Sequence, residues 1–349
     1  MARNNAVGLD IGTRTVNVAQ VSTRGGRPSV TDFGRFELPP EAVREGEVLD
    51  PKAVGDAIRQ LYAATSIKDK NVLVGVANQR VVVRQVDLPY LPESELRTSL
   101  RFQVQEFIPI PVEDAELDFH VLEEFEGDSG TRMQRLLLVA AHKDMVQTHL
   151  EAVAAAGLRP VGVDLNPFAL LRALVGDSPM GSGSEVLIDV GAGVTNIVVH
   201  DNGVPRFVRI LVLGGEDITG ALVRDLNLSR EAAEAAKQST SLGGGAGDPN
   251  VSRVIEERAG QFIDEIRSSL DYYQAQTGSN RLSRLVLTGG GALLGGLTER
   301  LAQAVRLPVE LGRPFDLTPA SGTKLTDDQL AAVGPLLTTA IGLATGGAQ

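Results

Sequence analysis

The sequence predicts an α/β protein of two lobes, each built on a mixed sheet, and a repeated motif is the main reason. The segment VGLDIGTRTVNVAQV begins at Val7, and the similar segment EVLIDVGAGVTNIVVHDNG begins at Glu185. Both place aliphatic runs on either side of a Gly turn, which is typical of two strands joined by a tight turn. The matched pairs are Asp10 and Asp189, Gly12 and Gly191, and Asn17 and Asn196, each 179 positions apart.

Each copy of the motif has the chemistry of a phosphate and metal site. An acidic residue at a strand end can hold hydrated Mg²⁺, while backbone N–H groups of the following turn approach phosphate oxygens. Glycine suits that turn because a Cβ atom would obstruct the approach. A single D-x-G is more often a hairpin whose Asp caps its turn. Because the chain carries two matched copies, we expect a nucleotide site divided between two lobes.

A small α/β insert is expected in the first lobe. Residues 71–86 predict two strands, and the proline-containing segment 88–92 ends them. The next segment predicts a helix that Pro109 and Pro111 terminate. Its apolar face consists of Leu96, Leu100, Val104 and Phe107. A strand over 136–142, a helix over 145–156 and a strand over 158–163 follow. The alternative is that these elements simply continue the first lobe.

A third glycine cluster lies in the second half. The segment RLVLTGGGALLGGLTERLAQAV predicts a buried strand at Leu285–Leu287, three glycines, and a helix that carries Leu293, Leu294, Leu297 and Leu301. At a strand-to-helix turn, Gly289, Gly290 and Gly291 would direct N–H groups and the positive helix end toward an anion or a ribose. Such turns are common, so this signal has meaning only together with the repeated motif.

Composition excludes several functional classes. The chain has 349 residues, enough for two domains, and its hydrophobic share of 43% is ordinary for a globular protein. It contains no cysteine, which excludes disulfides and thiol catalysis. A net charge of -11 argues against nucleic-acid binding. The N-terminus lacks a signal-peptide pattern, and no apolar run reaches the roughly 18 residues of a membrane span, so we expect a cytoplasmic protein.

Together, in this order, the three motifs resemble the phosphate-1, phosphate-2 and adenosine elements of the actin-like ATPase superfamily. The resemblance implies two lobes with duplicated mixed sheets of the ribonuclease H type and ATP in the cleft between them. The insert resembles subdomain 1C of the branch that contains the FtsA and PilM families. Residues 84–124 and 140–174 are similar to the PilM family of type IV pilus assembly proteins in particular. We expect a first lobe over 1–174, with subdomain 1C at about 86–165, and a second over 175–349, with an adenosine-binding subdomain.

The resemblance also implies the roles of individual residues in binding ATP or ADP with Mg²⁺. Asp10 is expected to hold hydrated Mg²⁺, and Asp189 is expected to order the metal or its water. In this branch a Glu and a Lys of an A-E-x-x-K helix line the adenosine pocket, which implies Glu234 and Lys237 here; otherwise the two form an exposed ion pair. The terminal phosphates are expected on Gly12, Thr13, Arg14 and Thr15, and the opposing phosphate turn is expected at Gly191, Ala192 and Gly193. The adenosine turn is Gly289, Gly290 and Gly291.

Slow hydrolysis at most is expected. In the related chaperones an Asn-Glu-Pro segment supplies a Glu that positions the attacking water, and the nearest match here is Leu165-Asn166-Pro167. An amide cannot act as a general base. Asp164 lies two residues earlier and is the candidate catalytic residue that remains. We therefore expect nucleotide binding without efficient turnover.

The PilM resemblance implies a partner and a location. The partner is the cytosolic N-terminal peptide of the membrane protein PilN, docked between subdomains 1A and 1C near Val81 to Phe107. The protein is then peripheral at the cytoplasmic face of the inner membrane, where it contacts other platform proteins and associates with the membrane through its partners. Whether it forms a homo-oligomer stays open. Two alternatives also stay open: a small-molecule kinase with Asp164 as base, and an FtsA-like polymerising protein, for which the tail lacks the FtsA amphipathic helix.

Overall fold

The structure is a computed structural model that describes residues 4–24, 26–128, 130–175, 184–244, 248–277 and 282–348. The first half contains β1 (Asn4–Ile11), β2 (Thr15–Arg24), β3 (Arg27–Glu37), β4 (Val43–Arg44), β5 (Glu47–Val48), α1 (Pro51–Ala64), β6 (Asn71–Val76), β7 (Val81–Pro89), α2 (Glu93–Gln103), β8 (Ala115–Glu126), β9 (Arg132–His142), α3 (Lys143–Ala155), β10 (Arg159–Leu165) and α4 (Asn166–Leu174). The second half contains β11 (Ser184–Val190), β12 (Thr195–Asp201), β13 (Val204–Leu211), α5 (Gly215–Leu226), α6 (Arg230–Ser239), α7 (Pro249–Thr277), β14 (Leu282–Thr288), α8 (Leu297–Val305), β15 (Val309–Leu311), α9 (Pro314–Leu317) and α10 (Asp327–Gly347). Two short 3-10 helices cover Val112–Asp114 and Gly290–Leu293.

Two five-stranded sheets repeat one topology. The strand order is β3-β2-β1-β6-β10 in the first sheet and β13-β12-β11-β14-β15 in the second. In each sheet three consecutive strands form an antiparallel meander, and two later strands are added in parallel. This duplication confirms the predicted α/β fold of two lobes with mixed sheets.

Helices cover both faces of each sheet, because apolar residues lie on both sides of the strands. On the outer face of the first sheet, α1 and α3 pack over a core that includes Leu9 and Ile58, while α10 covers the inner face with Ala340. The outer face of the second sheet is covered by α5, α7 and α8, with Ile266 in its core. Its inner face contacts Leu170 of α4. The helices α4 and α10 therefore form a layer between the two sheets.

Glycines allow this inner layer to pack closely. A Cβ atom on Gly342 of α10 would lie 1.9 Å from the carbonyl oxygen of Ala169 in α4. A Cβ atom on Gly8 of β1 would lie 2.2 Å from the carbonyl oxygen of Ala340. The helix α10 thus packs on the first sheet, although it lies in the range expected for the second lobe. The division at residues 174 and 175 remains a proposal.

By length and composition alone, α10 resembles a membrane span. It has 21 residues with a mean hydropathy of 1.4. However, 61% of its most apolar window is buried within the protein. A capping box at its start, in which Thr326 and Gln329 bond each other's backbone N–H groups, fixes its first turn. Packing between the lobes accounts for its apolar sequence.

The insert is a three-stranded sheet of order β7-β9-β8, covered by α2. Its core contains Leu96 and Leu100 of α2 and Leu136 and Leu138 of β9. The helix ends at Gln103 and not at the two prolines that were expected to terminate it. A turn after the helix is the reason, because it directs the following apolar residues back to the same core.

The close packing of the inner layer is tested by Gly342→Ala. The added methyl group would overlap the backbone of α4, so we expect the free energy of unfolding to fall by about 1–3 kcal/mol. The matched control is Gly260→Ala in α7, where a Cβ atom meets no atom within 4 Å. This change should be neutral or stabilising by up to about 1 kcal/mol, because alanine favours the helix. Denaturant unfolding of the two variants measures the difference, and equal stabilities would contradict the packing argument.

Candidate functional site

The turns of the two hairpins face each other across a cavity of about 1030 Å³. It lies between the sheets, at the point where α4 and α10 no longer cover their inner faces. Thirteen of the residues that the sequence analysis singled out line it: Asp10, Gly12, Thr13, Arg14, Thr15, Asp189, Gly191, Ala192, Glu234, Lys237, Gly289, Gly290 and Gly291. The fold therefore assembles in one place three motifs that are far apart in the chain.

Two of the singled-out residues do not line the cavity. Gly193 faces the opposite turn, and a Cβ atom there would lie 2.7 Å from Oγ1 of Thr13. Asp164 is paired with Arg172 of α4, and its other oxygen accepts the N–H of Leu165 at 2.7 Å. The carboxylate of Asp164 is thus engaged outside the cavity, because β10 is the edge strand farthest from the hairpin.

Asp10 is partly buried and lies among amides. The antiparallel register of β1 and β2 places it directly opposite Asn17, whose Nδ2 donates to Oδ2 of Asp10 at 2.9 Å. From the start of α4, Nδ2 of Asn166 donates to the other oxygen at 3.2 Å. Burial raises the pKa of Asp10, and the two amide hydrogen bonds oppose that shift.

Asp189 repeats this arrangement in the second lobe. Its partner across the hairpin is Asn196, with Nδ2 of Asn196 3.3 Å from Oδ2 of Asp189, and Thr339 of α10 donates at 3.4 Å. Burial, with a further contribution from the charge of Asp10, raises the pKa of Asp189 to about 7. Two acids that repel each other in a buried cleft, with only neutral partners, form a site that a cation would stabilise.

Unpaired amide oxygens lie beside the two acids. The Oδ1 atoms of Asn17, Asn166 and Asn196 are buried without a hydrogen-bond partner. Oxygen atoms of this kind can accept hydrogen bonds from the water shell of Mg²⁺, which usually keeps several of its waters. Within the described residues there is no cluster of three or more acids, histidines or cysteines that could hold a metal directly. The donor set therefore fits a hydrated cation and not a closed protein cage.

The two turns leave four backbone N–H groups open. In each hairpin the first glycine N–H is used by the turn itself: Gly12 donates to Thr15 and Gly191 donates to Val194, both at 3.0 Å. Among the described residues, no hydrogen bond takes the backbone N–H groups inside the turns. These groups belong to Thr13, Arg14, Ala192 and Gly193. Clustered open N–H groups in a turn are suited to bind anions.

A polar cluster occupies the second-lobe side of the cavity. The Nζ atom of Lys237 contacts Oε2 of Glu234 at 2.7 Å and donates to Oγ1 of Thr219 at 2.8 Å and to the carbonyl of Gly215 at 3.1 Å. The pair Glu234 and Lys237 is thus part of the cavity wall, not the exposed ion pair that was the alternative.

The triple glycine differs from its expected local structure. A helix does not follow it directly, because a 3-10 turn over Gly290–Leu293 comes first and α8 begins only at Leu297. Gly289 has φ of +84°, and a Cβ atom there would lie 2.4 Å from Oδ1 of Asp189. The glycine is therefore required for backbone conformation and for close approach to the acid. The N-terminus of α8 therefore does not lie directly after the three glycines, where the sequence predicted it.

Several cavity residues were not found by sequence reasoning. Asn166 was judged only as a failed base, and Thr339, Thr219 and Arg35 were not considered. In the sequence, the one signal that an amide accompanies each acid was the match of Asn17 with Asn196 between the two copies of the motif. Thr339 and Thr219 lie on helices whose polar residues have no recognisable spacing, so only the tertiary structure identifies them.

Comparison with known proteins shows the family and the fold of the chain. The family model described as type IV pilus assembly protein PilM matches residues 8–347. The solved PilM-PilN type IV pilus biogenesis complex has a TM-score of 0.86 and 28% identity, covering 99% of this chain and 98% of that one. The cell division protein FtsA of Streptococcus pneumoniae serotype 2 is 26% identical, covering 85% of this chain and 73% of FtsA. MreB5 of Spiroplasma citri bound to ADP, with a TM-score of 0.50, 13% identity and coverage of 97% and 94%, shares the fold.

The raised pKa of Asp189 predicts an unusual dependence of stability on pH. Between about pH 4 and pH 7 the folded protein holds a proton that the unfolded chain releases, so the free energy of unfolding falls as pH rises through that window. We expect metal-free Asp189→Asn to be more stable than the wild type at about pH 8, by a few kcal/mol, and equal to it near pH 4. Denaturant unfolding in EDTA measures this. The exposed Asp271→Asn is the control, and a less stable Asp189→Asn at high pH would contradict the account.

Proposed function

Since the chain belongs to the family of type IV pilus assembly protein PilM, we propose that it is a cytoplasmic actin-like protein of the pilus assembly platform that binds ATP or ADP with Mg²⁺. The observation that carries the nucleotide part is the pair of partly buried acids, Asp10 and Asp189, which face each other between two turns with open N–H groups. The binding of ADP by MreB5, which shares the fold, agrees with this proposal.

The metal fits the two acids and their amide neighbours. Asp10 and Asp189 would hold Mg²⁺ through its waters, and the free amide oxygens of Asn17, Asn166 and Asn196 would accept hydrogen bonds from those waters. When bound, the ion neutralises phosphate charge. The amide hydrogen bonds orient the two carboxylates and oppose the rise in pKa that burial causes, and the charge of the ion would favour their ionised forms.

The rest of the cavity suits the other parts of a nucleotide. The open N–H groups of the two turns would hold phosphate oxygens, with Arg14 and Thr15 beside them. Glu234 and Lys237 would flank the ribose and the purine, and the backbone of Gly289, Gly290 and Gly291 offers a flat surface for the base. Each of these roles is part of the proposal.

Slow turnover follows from the lack of a placed base. The acid nearest the exit segment, Asp164, is bound to Arg172 and does not line the cavity. Asn166 does reach the cavity, but it donates to Asp10, and an amide does not accept a proton from water at neutral pH. We propose that the bound nucleotide acts mainly as a structural element between the lobes. The kinase alternative loses the base that was expected for it, since Asp164 does not line the cavity.

For the partner, we propose the cytosolic N-terminal peptide of PilN. The support is the PilM-PilN complex, which matches this chain over nearly its whole length. The expected neighbourhood, Val81 to Phe107, includes α2, where Phe102 is 84% exposed. An exposed aromatic side chain of this size is a common anchor for a peptide. Through this partner the protein would lie at the cytoplasmic face of the inner membrane.

A second candidate is a filament-forming protein, because the similarity to FtsA extends over 85% of this chain. Sedimentation with and without Mg-ATP separates the two functions. A nucleotide-dependent pellet would favour the FtsA-like function, and a protein that stays in the supernatant would favour the adaptor.

Calorimetry with Mg-ATP tests the nucleotide proposal. We expect Asp10→Asn to weaken binding at least about tenfold, because the neutral amide no longer attracts the cation. Asp271→Asn, on the exposed surface of α7, is the matched control and should bind as the wild type does. Phosphate release in the same samples should be slow for every variant. Full affinity in Asp10→Asn would refute the assigned site.

Fluorescence polarisation with the labelled PilN peptide tests the partner. We expect Phe102→Ala to weaken peptide binding about tenfold, through the loss of one large apolar contact. Tyr272→Ala is the matched control, because Tyr272 is an aromatic residue of the second lobe that is 52% exposed. Equal loss in both variants would place the peptide elsewhere.

A further inference from the structure

Three residues form a row across the first sheet. Asp10 of β1 pairs with Asn17 of β2, and Asn17 pairs with Arg35 of β3. Residues opposite each other on neighbouring strands point to the same face of a sheet. The side chain of Arg35 is therefore on the same face as Asp10, and Arg35 lines the cavity.

The helix α10 covers the row beside this one. The neighbouring row on the same face is Gly8, Ala19 and Phe33, and all three contact α10 or its core cluster. One step further along the strands, Arg35 is an exposed residue. Phe36, the next residue, points to the opposite face and packs on the outer core. Arg35 thus projects into the open cavity.

The duplicated lobe provides an internal comparison. The equivalent row in the second sheet is Asp189, Asn196 and Ile210. The first two positions are identical in the two lobes, whereas the third is arginine in one and isoleucine in the other. Ile210 packs against the apolar cluster around Val81 of the insert, so an aliphatic residue is required there. No such packing acts on Arg35, and the sheet itself does not require a cation at this position.

Among the described residues, Arg35 has no acidic partner in hydrogen-bond contact, although the charge of Glu37, two residues further along β3, acts on it. Its guanidinium makes no hydrogen bond or ion pair with any residue that the structure describes. The other basic side chains near the phosphate turns are engaged: Arg14 lies 3.9 Å from Glu216, and Arg230 also pairs with Glu216. An arginine that faces a cavity with its planar donor fork unused is suited to bind a phosphoryl group in two contacts.

We propose that Arg35 binds the terminal phosphoryl group of a nucleoside triphosphate and makes the site prefer the triphosphate to the diphosphate. The proposal rests on the proposed nucleotide function, in which Asp10 and its metal lie beside the last phosphates. Arg35 is two strands from Asp10, about 10 Å between Cα atoms at the usual strand spacing. An extended arginine side chain and a phosphoryl group together span that distance. The inner phosphates are left to the N–H groups of the turns.

Calorimetry with three ligands tests the proposal. In Arg35→Gln we expect the affinity for Mg-ATP to fall at least about tenfold, while the affinities for Mg-ADP and adenosine stay within about twofold. Arg35→Lys keeps the charge but lacks the planar fork, so its affinity for Mg-ATP should lie between those of the wild type and Arg35→Gln. The matched control is Arg27→Gln, which removes an exposed arginine at the other end of β3. It should bind all three ligands as the wild type does.

Three results would overturn the proposal. One is an unchanged affinity for Mg-ATP in Arg35→Gln. Another is an equal loss for all three ligands, which would mean that Arg35 supports the cavity structurally. The last is an equal loss for Mg-ATP and Mg-ADP only, which would place Arg35 on an inner phosphate. If Arg35→Gln does not fold, Arg35→Lys gives the same discrimination. A wild type that binds no nucleotide refutes the proposed function itself and is recognised before any variant is measured.

Discussion

The close packing of α4 and α10 between the two sheets is the constraint on which the rest of the structure depends. The backbones of the two helices approach so closely at Gly342 and Ala169 that no side chain fits between them. Each helix also contacts the inner face of a sheet. Their layer fixes the distance between the sheets, and its end defines where the cavity begins.

The lobes are joined by an exchange of these helices. The helix α4 comes at the end of the first half but packs on the second sheet, and α10 comes at the end of the second half but packs on the first. Side chains from both helices then reach the acids, since Asn166 donates to Asp10 and Thr339 donates to Asp189. A relative movement of the lobes would therefore change the surroundings of both acids. Nucleotide binding and lobe closure are coupled on this account, and such coupling is reciprocal.

The cleft has an unfavourable charge arrangement in the absence of a ligand. Two partly buried acids repel each other, have only amide and hydroxyl partners within the described part of the chain, and lie beside three amide oxygens without partners there. Each of these features costs free energy in the folded chain. A cation with its water shell would relieve all of them at once. Features that destabilise a fold and converge on one cavity are more easily explained by binding than by folding.

The sequence by itself determined the duplication, the two acids and the glycine turns, because a strand, a tight turn and a following strand are encoded by local residue patterns. It also predicted an insert, but the helix and strand expected over 145–163 are α3 and β10, which pack on and join the first sheet, and the end of α2 was misplaced where a turn overrode the proline signal. Only the tertiary structure decided which helix covers which sheet, because both helices are apolar and neither residue pattern specifies the sheet that it contacts. It also decided that Asp164 pairs with Arg172 outside the cavity and that Arg35 lines the cavity. Those outcomes depend on strand register and on contacts between distant segments, which residue patterns do not specify.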